Sequence, residues 1–227
     1  MIISLTKALI FDFDGLVVDT ESPLYDSWRE LYQDHGHDLT LETYVECVGS
    51  TTQRFDPLTY LQDLVGSSRV LDLDELHQEH RNRVHRELSQ RDTLPGVRER
   101  IAEAQEAGIQ LAIASSSPSD WIDPWLFRLG IREHFAVVRT LDHVSEAKPS
   151  PELFLTAAES LGVQPHEALV FEDSHNGLQA ALAAKIPCVA VPNRVTGNSD
   201  FTQAVLVLQS MADHSLTEIL SKIHTTP

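Results

Sequence analysis

The chain opens with an apolar run, Ala8 to Phe13, that breaks at Gly15. A buried strand reads this way, and Gly15 supplies the sharp turn out of it. The pattern then takes on helical spacing. Leu24, Trp28, Leu31 and Tyr32 share one face of a helix starting near Pro23, with Ser22 as N-cap, and Gly36 closes it. Leu41, Tyr44, Val45 and Val48 predict a second helix. Leu73, Leu76, Val84 and Leu88 predict a long third one from Asp72 to Leu88. From Leu16 to Thr93 the spacing predicts helices and no strand.

Leu94-Pro95-Gly96 is a turn signal, and beyond it helix and strand patterns alternate. Apolar runs at Ile109–Ala114, Phe135–Val138, Ala168–Phe171, Ile186–Val191 and Ala204–Leu208 read as strands. Helical patterns fall at Val97–Ala107, Trp121–Leu129, Pro151–Leu161 and Asn176–Ala184, and a last helix opens with Ser215 and Glu218 in capping-box spacing. Pro124, inside one of these patterns, predicts a late start or a kink. Apolar strands separated by helices mean an α/β fold, a Rossmann-like parallel sheet covered on both faces. The first strand joins that sheet. Residues 1–16 and 94–227 therefore form the core, and 17–93 an all-helical cap inserted after strand one, with hinges near Gly15 and Pro95-Gly96.

Composition narrows the partners. Seventeen Lys and Arg against 34 Asp and Glu give a net charge of −17 over 227 residues. Such a surface repels phosphate backbones and anionic lipid, which argues against nucleic acid and membranes. A small anionic substrate stays open, because a few local cations or a bound metal override the global field. No apolar run approaches transmembrane length, and MIISLTKALI reads as a strand rather than a signal peptide. With Cys47 and Cys188 as the only cysteines, both amid apolar neighbours, the expectation is a cytoplasmic protein, monomeric or weakly self-associating.

The chemistry lies at strand ends, where open parallel sheets bind ligands. Asp12 and Asp14 sit at the end of the first strand, roughly 7 Å apart and on one side of an extended chain. Two carboxylates so placed repel unless something positive joins them, and hard oxygen ligands favour Mg2+. LAIA ends in Ser115-Ser116-Ser117, hydroxyls beside a helix start and suited to phosphate oxygens. Lys148 precedes Pro149, which favours an extended lysine. ALVF ends in Glu172-Asp173-Ser174, a second acidic pair. Each signal alone is weak: a turn, a cap, a solvated lysine. Together they supply a nucleophile, hydroxyls, a cation and metal-binding acids, the inventory for phosphoryl transfer.

DFDG at 12–15, Ser115 after LAIA, Lys148 in AKPSPELF and VFEDSHNGLQAA from 170 follow in an order and spacing that resembles the haloacid dehalogenase superfamily, in its β-phosphoglucomutase-like phosphatase group. The resemblance spans nearly the whole chain. It implies that Asp12 is the nucleophile and forms an aspartyl-phosphate, and that Asp14 is the general acid and base. It implies Ser115, Ser116 and Lys148 as phosphate ligands. Mg2+ would be held by the Asp12 carboxylate, the Asp14 backbone carbonyl, Asp173, and Glu172 directly or through water. An acid at Asp14 argues for phosphate esters, since a halide leaving group needs no proton.

Two departures set a phosphatase of a small phosphorylated metabolite, sugar phosphates first, ahead of a sugar phosphomutase. The gating histidine of β-phosphoglucomutase matches Leu24 here, and its cap arginine has only the late Arg54 in VGSTTQR. Thr20, Glu21 and Arg54 are the expected substrate contacts, with Thr52, Gln53, Arg81 and Arg83 as further polar candidates. His77, His80 and His85 read as a solvated helix face rather than a zinc site, and Trp121 and Trp125 as packing residues. Lys185 stands where the family ends a helix with glycine, and VPNRVTG matches a loop common in the group but carries no assigned role. A phosphorylated receiver domain is the non-enzymatic rival. It needs an acid at the end of the third strand, and Phe135–Val138 has none. A degenerate binding protein is the other rival, and it is disfavoured because all four motifs are intact.

Overall fold

A computed structural model of the chain describes residues 6–45, 56–67 and 69–225. Six strands, β1 (Ala8–Phe11), β2 (Gln110–Ala114), β3 (Val137–Arg139), β4 (Ala168–Glu172), β5 (Cys188–Ala190) and β6 (Leu206–Val207), form one parallel sheet in the order β3-β2-β1-β4-β5-β6. The chain moves outward from β1 through β2 and β3, then returns to β4 and moves out the other way. The reversal leaves a crevice between the carboxyl ends of β1 and β4, the place where such sheets bind ligands.

Alternation along β1 divides the core in two. Leu9 and Phe11 face α5 (Val97–Glu106), α6 (Ser119–Arg128) and α9 (Leu216–Thr225). Ala8 and Ile10 face α7 (Glu152–Leu161) and α8 (His175–Ala183), whose Ala157, Ala158, Ala180 and Ala181 let those helices lie close to the sheet. Phe11 stacks on Phe171 with ring centres 5.2 Å apart. All of these β1 side chains are fully buried, so the strand that carries the site is packed on both faces of the sheet.

Between β1 and α5 lie α1 (Glu21–Asp34), α2 (Leu41–Tyr44), α3 (Pro57–Val65) and α4 (Leu73–Leu88), with no strand of the sheet among the described residues. Tyr25, Trp28, Leu31, Tyr32, Leu61 and Leu76 give this insert a hydrophobic cluster of its own. Val84 and Leu88 of α4 instead pack into the core on the α5 side of the sheet. Among the described residues, no helix is long and apolar enough to cross a membrane.

Several local expectations shift. Helix α1 starts at Glu21, so Ser22 lies inside it, and the capping acceptor is the Asp19 carboxylate, which takes the Ser22 N–H at 3.0 Å. Helix α3 was not predicted, although Asp56 caps it through Leu58 N and Thr59 N, Pro57 opens it and Gly66 ends it. Strand β3 is displaced to Val137–Arg139, because Phe135 leaves a 3-10 turn to enter the core. Helix α6 runs through Pro124 and starts early, at Ser119, rather than late. Lys185 has φ of 59°, a left-handed backbone that costs roughly 1 kcal/mol for a residue with a Cβ. Cys188 is a free, buried thiol in β5, and Cys47 lies outside the described residues.

Candidate active site

The register of β1 on β4 pairs Phe11 with Phe171, so the next residues, Asp12 and Glu172, emerge side by side, with Asp173 following. One oxygen from each of Asp12, Glu172 and Asp173 lies within 4.8 Å of the others, and all three residues are buried. Lys148, only 3% exposed, reaches into this cluster. Its ammonium donates to Asp12 Oδ1 and, at 2.6 Å, to Glu172 Oε1.

Charge accounts for the electrostatics. Burial pushes the Asp12 carboxyl well above its ordinary range, with Lys148 opposing and Glu172 and Asp14 adding to the rise. Burial raises Asp173 likewise, reinforced by Glu172 and Asp12. Burial alone would lower Lys148, but attraction to Asp12 and Glu172 outweighs it and holds the ammonium charged. Three carboxylates face one lysine, leaving an excess of negative charge in a desolvated crevice. A divalent cation bound by hard oxygens would balance it, so the donor set fits a metal of the Mg2+ type.

Two glycines make room for this cluster. Glu172 Oε2 accepts from Ser174 N at 3.0 Å and Ser174 Oγ at 2.9 Å, which folds its carboxylate over the first turn of α8. A Cβ on Gly177 would sit 1.8 Å from Glu172 Cδ. At Gly15 φ is +82°, and a Cβ there would fall 2.3 Å from Asp173 Oδ2. Gly15 was expected from its turn, whereas Gly177 carried no local signal.

The Asp14 carboxylate stands apart from the three-acid cluster. Its Oδ1 accepts from Thr20 Oγ1 at 3.0 Å and Trp121 Nε1 at 2.8 Å. Its Oδ2 accepts from Ser117 Oγ at 2.7 Å and more weakly from Ser115 Oγ at 3.3 Å. Any part for Asp14 in metal binding is left to its backbone carbonyl. Trp121 is therefore more than a packing residue, and Thr20, fully buried, faces Asp14 rather than the cavity.

A cavity of about 530 Å³ joins Asp12, Asp14, Lys148 and Asp173 to Ser115, Ser116, Glu21, Leu24 and Trp121. The Ser116 hydroxyl is buried there with no hydrogen-bond partner among the described residues, as a ligand-facing donor would be. Glu21 lines the mouth, and burial, with Asp14 and Asp19 adding repulsion, pushes its carboxyl up to about 8.

Other candidates lie elsewhere. Arg54, with Thr52 and Gln53, is outside the described residues. Arg83 is held by Glu30, Asp34 and Glu79, and Arg81 by Gln78. His80 corrects the picture of a solvated histidine face: it is buried, stacks 4.0 Å from Trp28 and hydrogen-bonds Ser27 Oγ at 2.9 Å.

A Rossmann-like parallel sheet with a helical insert after strand one, and an aspartate pair facing an acidic pair and a buried lysine at its switch point, define a phosphoryl-transfer class. The chain belongs to the haloacid dehalogenase-like hydrolases, whose family model matches residues 9–191. It is 40% identical to YhcW of Bacillus subtilis (strain 168), a candidate phosphatase by name, over 96% of this chain and 98% of that one. It is 33% identical to the fructose-1-phosphate phosphatase YqaB of Escherichia coli (strain K12), over 81% and 95% of the two chains. The crystal structure of CbbY from Rhodobacter sphaeroides in complex with phosphate superposes with a TM-score of 0.72 at 29% identity, covering 93% of this chain and 98% of that one. A variant of CbbY has also been crystallised with xylulose-(1,5)bisphosphate. The protein is a phosphatase, a phosphoric monoester hydrolase.

Proposed function

We propose that the protein hydrolyses a small sugar phosphate through an aspartyl-phosphate on Asp12, with Mg2+ as cofactor. The observation that carries this reading is the convergence of Asp12, Lys148, Glu172 and Asp173 in one buried cluster, with Asp14 and a Ser116 hydroxyl that lacks a partner among the described residues lining the same cavity.

Asp12, Glu172 and Asp173 would hold the ion, which when bound neutralises the acids and draws charge from the phosphoryl oxygens. A carboxylate oxygen of Asp12 attacks phosphorus as the bond to the leaving oxygen breaks. Asp14 gives that oxygen a proton. Water then attacks the phosphorus, Asp14 takes its proton, and the bond to Asp12 breaks, restoring both carboxyls. Lys148, Ser115 and Ser116 offset the phosphoryl charge through both steps. For each transfer Asp14 exchanges one of its present donors for the reacting oxygen.

Residues 17–93 act as a cap over the cavity, to which α1 contributes Glu21 and Leu24. The sugar reading is supported by the substrate named for the E. coli relative and by the sugar bisphosphate bound to CbbY. It is also supported by the mouth itself, where Glu21 and Asp120 can bond hydroxyls and Trp121 offers a flat apolar face. Leu24 on the cavity wall carries no titratable group, which favours hydrolysis over mutase chemistry.

The test is phosphate release from a panel of hexose, pentose and hexitol phosphates against nucleotide and aryl phosphates, with Mg2+ or with chelator. Mg2+-dependent release concentrated among the sugar esters is expected. Interconversion of hexose phosphates without net phosphate release would overturn the reading.

A further inference from the structure

The loop after β5 is tied to both halves of the molecule. Asn193 uses every polar atom of its side chain. Its Nδ2 donates to Asp173 Oδ2 at 2.6 Å and to Gly15 O at 3.1 Å. Its Oδ1 accepts from Val195 N at 2.8 Å and Thr196 N at 3.1 Å, closing a turn that Thr196 Oγ1 supports by accepting from Asn193 N. The next two residues grip the insert. Arg194 pairs with Asp26 of α1 at 2.5 Å, its guanidinium 5.7 Å from the Tyr25 ring centre, and Val195 is buried in the cluster of Tyr25, Trp28 and Leu31.

The three acids are not held alike. Lys148 ties Asp12 and Glu172, and Ser174 adds two bonds to Glu172. Among the described residues, Asn193 alone donates a hydrogen bond to the Asp173 carboxylate. A metal-binding carboxylate needs an outer partner to fix its orientation, and losing such a partner costs metal affinity. Asn suits this place because it presents a donor at one end and an acceptor at the other. Here the donor meets Asp173 and the acceptor closes the turn.

We infer that Asn193 is a positioning residue for metal binding: it orients Asp173 from a loop clamped between Gly15 and the helical insert. The inference rests on the reading that Asp12, Glu172 and Asp173 hold Mg2+.

The experiment is calorimetric titration of Mg2+ into the metal-free full chain, without substrate, for wild type, Asn193→Ser and Asn193→Asp, with a thermal melt of each metal-free protein. Ser keeps a hydroxyl acceptor for the turn but is too short to reach Asp173. Asp keeps the acceptor geometry and sets a carboxylate oxygen against Asp173 Oδ2. Both variants are expected to bind Mg2+ about tenfold or more weakly. The metal-free Asn193→Ser protein, which adds no charge, is expected to melt closer to wild type than Asn193→Asp, whose new carboxylate meets the buried acids. A loop with only a structural role would lower the melting temperature and leave the Kd unchanged. Wild-type affinity in either folded variant overturns the inference while leaving the metal site standing. Failure of the wild type itself to bind Mg2+ overturns the metal reading and the inference with it.

Discussion

The indole N–H of Trp121 donates to Asp14 Oδ1 at 2.8 Å, linking the first turn of α6 to the end of β1 across 107 positions of sequence. The same ring lines the cavity, so one side chain both orients the proposed general acid and shapes the space where the leaving group would lie. A hydrogen bond to a charged group contributes about 1.5–3 kcal/mol. Trp121→Phe keeps most of the ring and removes the donor. It is expected to lower kcat about tenfold or more, to change the pH profile of kcat, and to leave Mg2+ affinity as it was. An unchanged pH profile in steady-state assays would assign Trp121 to packing alone.

Gly177 holds space for a carboxylate. A Cβ there would sit 1.8 Å from Glu172 Cδ and 1.9 Å from Oε1, far inside contact distance. Gly177→Ala therefore displaces Glu172 from Lys148 and Ser174. Overpacking of this kind costs about 1–3 kcal/mol. The expected result is a lower melting temperature together with weaker Mg2+ binding, although Ala is the better helix former. A stabilised variant with wild-type Mg2+ affinity would contradict the cradle.

His80 gives stability a pH dependence of known sign. Burial, with His77, Arg81 and Arg83 adding repulsion, lowers its pKa from 6.5 to about 4. Between those values the unfolded chain binds more protons than the folded one. This contribution is thus complete above pH 6.5 and is lost as pH falls toward 4, roughly 3 kcal/mol across the window. His80→Gln removes the titration and keeps a group able to bond Ser27. Urea denaturation at pH 7 and pH 5 is expected to show a smaller loss of stability in His80→Gln than in wild type. Equal losses would place the dependence elsewhere.

What was legible in the sequence was local or periodic. The acids after β1 and β4 and the hydroxyls after β2 sit at strand ends, and alternation of apolar runs with helices locates strand ends without any knowledge of contacts. The signals for helix α3 are local as well: Asp56 and Pro57 at its start, Gly66 at its end, and Leu58, Leu61, Leu64 and Val65 at helical spacing between them. What stayed hidden depends on distant chain segments meeting. Nothing around Trp121 announces Asp14, nothing in VPNRVTG announces Asp173, and the collision that requires glycine at 177 exists only once Glu172 has folded back over α8. His80 read as polar surface because its neighbours on α4 are polar; Trp28 of α1, which buries it, lies 52 residues earlier.

The proposed function turns on Asp12 as the nucleophile of a Mg2+-dependent reaction. The most direct measurement is phosphate release from the best ester of the panel by wild type and Asp12→Asn, each with Mg2+ and with chelator. Release is expected from the wild type with Mg2+ and not with chelator, and none above background from Asp12→Asn under either condition. Release by a correctly folded Asp12→Asn at a rate near wild type would contradict the proposed function.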